Sequence, residues 1–280
     1  MRKLLFIVTS IIIFQSYCLG QYSSEINARR IKKAKEVTVQ VMIDSMPSGT
    51  GFFINSEGLV VSNMHVIETE NLRVDTTTGL ILNKIEIKMN CGVSEEVKVV
   101  DFFLKGQGYQ IGKFFDFICL EPVNKDLKTQ FVKLGKYSSL KEGDNIYTCG
   151  YPFGIEQPVF TTGMISTKFE QFSIDSLNKR NVAWLDLSMN KGNSGGAIFL
   201  MNDDPEKDEV VGIASFNLNV LSQYATQLKM IARNKGANAI IGGLDVKGFA
   251  ELTAISIEAN SYGIGGLISI EYLKEVFKEK

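Results

Sequence analysis

The sequence predicts an all-β fold, a barrel or a sandwich. Three observations carry this: many short segments rich in β-branched and aromatic residues, glycine-rich turns between them, and only two stretches with helical spacing. In order, the strand segments are Val37–Ile43, Gly51–Ile54, Leu59–Ser62, Lys84–Met89, Val97–Phe103, Phe117–Glu121, Asn145–Cys149, Val159–Thr162, Ala183–Leu187, Ala197–Leu200 and Val210–Phe216. The first, Val37-Thr-Val-Gln-Val-Met-Ile43, alternates as a half-buried strand should. The helical stretches are Leu221–Asn234 and Glu271–Lys280; the latter places Tyr272, Leu273, Val276 and Phe277 on one side, as in a terminal amphipathic helix. Residues 219–260 show no clear strand rhythm.

The ends of the chain differ from its body. Arg2 and Lys3 precede an apolar run, Leu4–Phe14, followed by the small residues Cys18 and Gly20. This order predicts a secretory leader over residues 1–20, cleaved before Gln21, because the run is shorter than the roughly 20 residues a membrane span needs. No stable membrane insertion is expected once the leader is removed, and the location expected is periplasmic or secreted. Residues 21–36 are polar and basic, with Arg29, Arg30, Lys32, Lys33 and Lys35, and predict a short helix with a solvated face. The remainder, 37–280, reads as one unit, since no fixed-period repeat, low-complexity tract or long linker divides it.

Composition excludes several function classes. With 45% hydrophobic residues in 280 the chain can bury a sizeable core, and a net charge of −1 gives no field favouring nucleic acid or an anionic surface. Leader cleavage leaves Cys91, Cys119 and Cys149, an odd number at wide spacing, so free thiols are expected rather than a disulfide framework. One histidine and no CxxC pair argue against a metal site, and no cofactor is implied.

The chemistry resides in Lys191-Gly192-Asn193-Ser194-Gly195-Gly196. A serine between glycines exposes a hydroxyl and leaves backbone N–H groups unhindered, as acyl transfer requires of a nucleophile and of an oxyanion hole. Gly192 and Ser194 are the candidate donors. The motif alone also fits an ordinary glycine-rich turn or a phosphate-binding loop. A serine nucleophile needs a base, and His65 is the only histidine. A carboxylate must then orient the imidazole. Asp116, at the start of Phe117-Ile-Cys-Leu120, competes for that role with Asp101 and Asp126.

On these residues the chain resembles the trypsin-like peptidase family, in particular its bacterial Do (high-temperature-requirement) type. Gly49-Thr-Gly-Phe-Phe-Ile-Asn-Ser-Glu-Gly-Leu-Val-Val-Ser-Asn-Met-His65 resembles the family's stretch around its histidine, and Phe115-Asp116-Phe-Ile-Cys-Leu120 its aspartate strand. Gly150-Tyr-Pro-Phe-Gly154, Thr161-Thr-Gly-Met-Ile-Ser166, Asp186–Ala197 and Ser261-Tyr-Gly-Ile-Gly-Gly-Leu-Ile268 resemble further family signatures. The resemblance implies two perpendicular six-stranded β-barrels with the site in the cleft between them. It implies a triad of His65, Asp116 and Ser194, favouring Asp116 over Asp101, and polypeptide substrates. It also makes Ser188 the floor of the primary pocket and Ser215-Phe216-Asn217 the wall that pairs with an extended substrate. A neutral floor and Asn217, in place of the frequent glycine, predict small to medium uncharged residues before the cleaved bond.

Three departures qualify the resemblance. Regulation by a peptide-binding PDZ module, which Do-type members usually carry after the peptidase domain, is not expected; residues 219–260 look longer than the family counterpart, and Asn193 stands where digestive-type members carry an aspartate. Activation by insertion of a new N-terminus is therefore not expected. The same residues also suit a non-catalytic module that binds extended peptides, or an esterase. Oligomeric state has no signature here.

Overall fold

Alternating segments of the sequence close into two barrels. The computed structural model describes residues 24–70, 72–75, 81–173, 179–217, 227–228, 230, 233, 240–241, 244–259 and 264–273. The expected leader, most of Leu221–Asn234 and residues 274–280 of the expected terminal helix lie outside them. A helix, α1, covers residues 24–37. It runs into β1 (Thr38–Ile43), β2 (Met46–Phe53), β3 (Val60–Ser62), the short α2 (Met64–Ile67), β4 (Ile85–Met89), β5 (Ser94–Val99), α3 (Gly106–Phe115) and β6 (Ile118–Pro122). The second half holds β7 (Asn145–Gly150), β8 (Val159–Ser173), β9 (Lys179–Asp186), β10 (Ala197–Leu200), β11 (Glu209–Asn217), the small β12 (Ile240–Ile241) and β13 (Leu244–Asp245), α4 (Val246–Ala259) and β14 (Ile264–Ser269).

The first barrel closes in the order β1-β2-β3-β6-β5-β4 and the second in the order β10-β11-β14-β9-β8-β7. Closure leaves neither sheet with an unpaired edge. Val39, Val41, Phe52, Val60, Ile87 and Leu120 fill the first barrel, and this core continues into Tyr147, Phe199 and Ile213 of the second. A separate cluster, including Ile146, Ile165, Leu185, Ile198 and Leu267, fills the rest of the second barrel. Apolar packing thus crosses the seam where the two barrels meet.

Four local expectations change. The strand expected over Val97–Phe103 ends at Val99, because Asp101–Phe103 turns as a 3-10 segment into α3. Asp116 accordingly terminates α3 instead of opening a strand; its φ of 52° and ψ of 47° place it in the left-handed region, and its N–H bonds the Gly112 carbonyl. Within 219–260, residues 246–259 are helical. Finally, α1 is not solvated throughout. Arg30 is only 5% exposed; its Nε donates to Asp208 Oδ2 at 2.7 Å and its Nη2 to the Asn202 carbonyl at 2.5 Å. Tyr147 donates to the same Asp208 oxygen at 3.0 Å, so the carboxylate's desolvation is compensated on several sides.

Candidate active site

The site begins with the end of β3. Ser62 donates to the Thr50 carbonyl at 2.7 Å, Asn63 leads into α2, and the next turn of chain presents His65 with its side chain half exposed. Asp116 reaches it from the end of α3. His65 Nδ1 lies 3.0 Å from Asp116 Oδ1 and 2.8 Å from Oδ2, and the His65 backbone N–H donates to Oδ1 at 3.1 Å. An ionised carboxylate only accepts, so Nδ1 carries hydrogen and Nε2 of the neutral ring keeps its lone pair for a proton. Two further groups hold Asp116: Asn63 Nδ2 donates to its carbonyl at 2.7 Å, and Ser215 Oγ donates to its Oδ2 at 2.5 Å. Arg180 sits nearby with its guanidinium over the Phe114 ring; burial lowers the Arg180 pKa, and the neighbouring Asp116 and Tyr272 oppose that shift.

Ser194 lies on the facing wall, in the loop before β10. Its carbonyl accepts from Thr50 N at 2.9 Å. Gly49, one residue earlier, lies between Val66 and the Ser194 carbonyl; a Cβ there would stand 2.6 Å from a Val66 methyl and 3.0 Å from that oxygen. The serine and the His65 helix therefore border the same glycine. The loop follows a course open chiefly to glycine, with φ of +101° at Gly192 and +87° at Gly195.

Hydrogen bonds fix the peptide on either side of Gly192. Phe153 N donates to the Lys191 carbonyl at 2.6 Å, and Thr50 Oγ1 donates to the Gly192 carbonyl at 2.6 Å while accepting from Tyr151 N at 3.0 Å. In a trans peptide the N–H points opposite to the carbonyl, so the Gly192 N–H is directed away from Phe153. Sequence reasoning missed Thr50, Asn63 and Phe153, and assigned Ser215 only to the substrate wall. Thr50 shares β2 with a second polar residue, Ser48, so the strand's composition gave no signal that singled it out.

The proposed pocket residues are placed less tightly. Ser188 is exposed, the backbones of Phe216 and Asn217 pair with Gly266 and Gly265, and Met189 is buried against Gly265. Asp101 opens the 3-10 turn and Asp126 lies after β6; the carboxylate beside His65 is that of Asp116. Among the described residues, no three His, Cys, Asp or Glu side chains gather as a metal site.

Comparison with known proteins agrees with this architecture. The family described as trypsin-like peptidase domain matches residues 49–213. A probable periplasmic serine endoprotease, DegP-like, of Rickettsia conorii is 28% identical over 185 residues, covering 66% of this chain and 30% of that protein. Serine protease HTRA1B of Danio rerio is 25% identical over 183 residues, covering 65% of this chain and 33% of its own length. The chain thus spans about a third of the length of these curated relatives. Among solved structures, the HtrA-type protease AlgW, determined with a tripeptide, shares the fold with a TM-score of 0.55 at 19% identity, over 90% of this chain and 62% of that one. With two closed six-stranded barrels and a profile match over more than half its length, the chain belongs to the trypsin-like peptidase domain family.

Proposed function

We propose that the protein is a serine endopeptidase in which His65 takes the Ser194 proton as Oγ attacks a peptide carbonyl. The Nε2–H so formed protonates the departing amine, and water attacks the resulting acyl-enzyme with His65 again as base. Asp116 holds the imidazole and stabilises its charged form, and the N–H groups of Gly192 and Ser194 bind the oxyanion. The observation that carries this reading is the hydrogen-bonded unit of Ser215, Asp116 and His65, which supports His65 Nε2 as the base.

The buried Met189 beside Gly265 supports a neutral primary pocket near Ser188 and the Phe216-Asn217 backbone, suited to small or medium uncharged residues. The leader expected over residues 1–20 and the word periplasmic in the names of DegP-like relatives support a periplasmic or secreted location.

A fluorophosphonate probe tests the assignment. It should label the wild-type chain at Ser194 and leave Ser194→Ala unlabelled, while an unfolded protein substrate is cleaved only by the wild type. A folded wild type that neither reacts nor cleaves would be a peptide-binding module instead.

A further inference from the structure

The end of α3 rests on the second barrel. Phe114, Phe115 and Asp116 follow one another in the chain, yet each takes its partner from a different part of that barrel. Arg180, near the start of β9, holds its guanidinium carbon 5.7 Å from the centre of the Phe114 ring. Tyr272, just beyond β14, stacks on Phe115 with ring centres 3.8 Å apart and planes 19° from parallel. Ser215 of β11 donates to Asp116. Because β11, β14 and β9 are consecutive neighbours in the barrel, the end of one helix lies across three adjacent strands.

These contacts brace one another. The Asn181 N–H donates to the Tyr272 hydroxyl at 2.6 Å, which ties the ring stacked on Phe115 to the strand that carries Arg180. Phe114 and Phe115 meet nearly edge to face, 4.6 Å apart at 73°, so displacing one ring disturbs the other. Arg180 is half-buried, and its Nε finds no acceptor among the described residues. A guanidinium kept from water with a donor unanswered needs compensation. The face of Phe114 and the neighbouring Asp116 carboxylate supply it.

Asp116 itself is the left-handed residue that closes α3. Its carboxylate is therefore one residue away from the stacked ring of Phe115, and a shift of the helix end passes directly to the 2.8 Å contact with His65 Nδ1.

We propose that Arg180 and Tyr272 are positioning residues: by gripping Phe114 and Phe115 they fix the end of α3 on the second barrel and so hold Asp116 in line with His65. The effect on turnover rests on the peptidase reading above, whereas the effect on the imidazole does not. An aligned Asp116 keeps the ring hydrogen on Nδ1, and a displaced one releases it to Nε2.

The test reads both effects. The chain has one histidine, so isotope-labelled histidine in an untagged chain gives a single imidazole, whose nitrogen–proton correlations show which ring nitrogen carries hydrogen when the ring is neutral. In Arg180→Ala and Tyr272→Leu the share on Nε2 should rise at least about 2-fold over wild type. On one peptide substrate, kcat should fall about 10- to 100-fold with KM within about 2-fold, as for a misplacement transmitted from outside the reacting groups. Tyr272→Phe keeps the stacked ring and should retain kcat within about 3-fold. Circular dichroism and melting curves establish that each variant is folded; if Tyr272→Leu is not, Arg180→Ala decides. Folded variants with wild-type kcat and an unchanged tautomer overturn the proposal, as does a loss of kcat with the hydrogen still on Nδ1. If the wild type neither cleaves peptide nor reacts with a fluorophosphonate, the peptidase reading falls and the tautomer alone decides the positioning role.

Discussion

The Ser215 hydroxyl donates to Asp116 Oδ2 at 2.5 Å, joining the strand read as the substrate wall to the carboxylate that orients His65. The two residues are 99 positions apart and come from different barrels, so this bond also spans the cleft. Ser215→Ala should lower kcat about 10- to 100-fold, the scale of one hydrogen bond to a charged group. Asp116→Asn should cost about 10,000-fold by favouring the wrong imidazole tautomer. Steady-state kinetics on one peptide across pH 5–9 checks both, and a Ser215→Ala variant with unaltered kcat would refute the coupling.

Ser194→Ala should lose at least about 10,000-fold in kcat with an unchanged melting temperature. Ser194 is half-buried on a loop whose backbone contacts survive the substitution. Calorimetry beside the peptide assay separates loss of chemistry from loss of fold.

Thr50 joins the two sides of the cleft, since its hydroxyl bridges the Gly192 carbonyl and the Tyr151 N–H. Thr50→Val keeps the shape but leaves both groups without that partner. The proposed oxyanion-binding peptide then loses one anchor, and kcat should fall roughly 10- to 100-fold with little change in KM. An equal effect on KM would place Thr50 in substrate binding instead.

Removing the Arg30 guanidinium leaves Asp208 buried with one partner fewer. Arg30→Met should destabilise by about 3–5 kcal/mol in denaturant titration, and Arg30→Met/Asp208→Asn should recover part of that loss. Both side chains are nearly inaccessible, at 6% and 0% exposure, so added salt should alter the effect little.

Burial pushes the Cys149 thiol up to about 11 and raises the Tyr137, Tyr147 and Tyr151 phenols. Each is neutral in both states at lower pH. Above about pH 9 the unfolded thiol ionises while the folded one stays protonated, so stability falls through the window from 9 to 11, and further as the unfolded phenols ionise. Urea midpoints measured between pH 7 and 11 should decline accordingly. In the folded protein Cys91 alone of the three described cysteines is exposed, so it should react first with a thiol reagent at pH 8, ahead of Cys119 and Cys149.

Much of the fold was legible because barrel strands alternate: seven of the expected strand segments match observed strands to within a residue at each end, while β2, β8 and β9 run well beyond the segments expected for them. The helix α3 was not, since three of its ten residues are glycine and weak helix formers hide the 3.6-residue period. Arg30 was hidden differently: a run of basic residues has the same composition whether all face water or one is buried against Asp208. The candidate site was legible as residue types, because only one histidine was available and glycines flanked Ser194. Its supports were not, because Thr50, Asn63 and Phe153 act through backbone partners far away in the chain, which no local pattern encodes.

Because α1 leads directly into β1 of the first barrel while Arg30 grips the 202–208 turn of the second, the two barrels are tied by a contact that involves none of the candidate site residues. Trimming the chain past Arg30 would remove that tie, so a proteolytic nick in this helix is expected to loosen the hold of one lobe on the other while leaving His65, Asp116 and Ser194 in place.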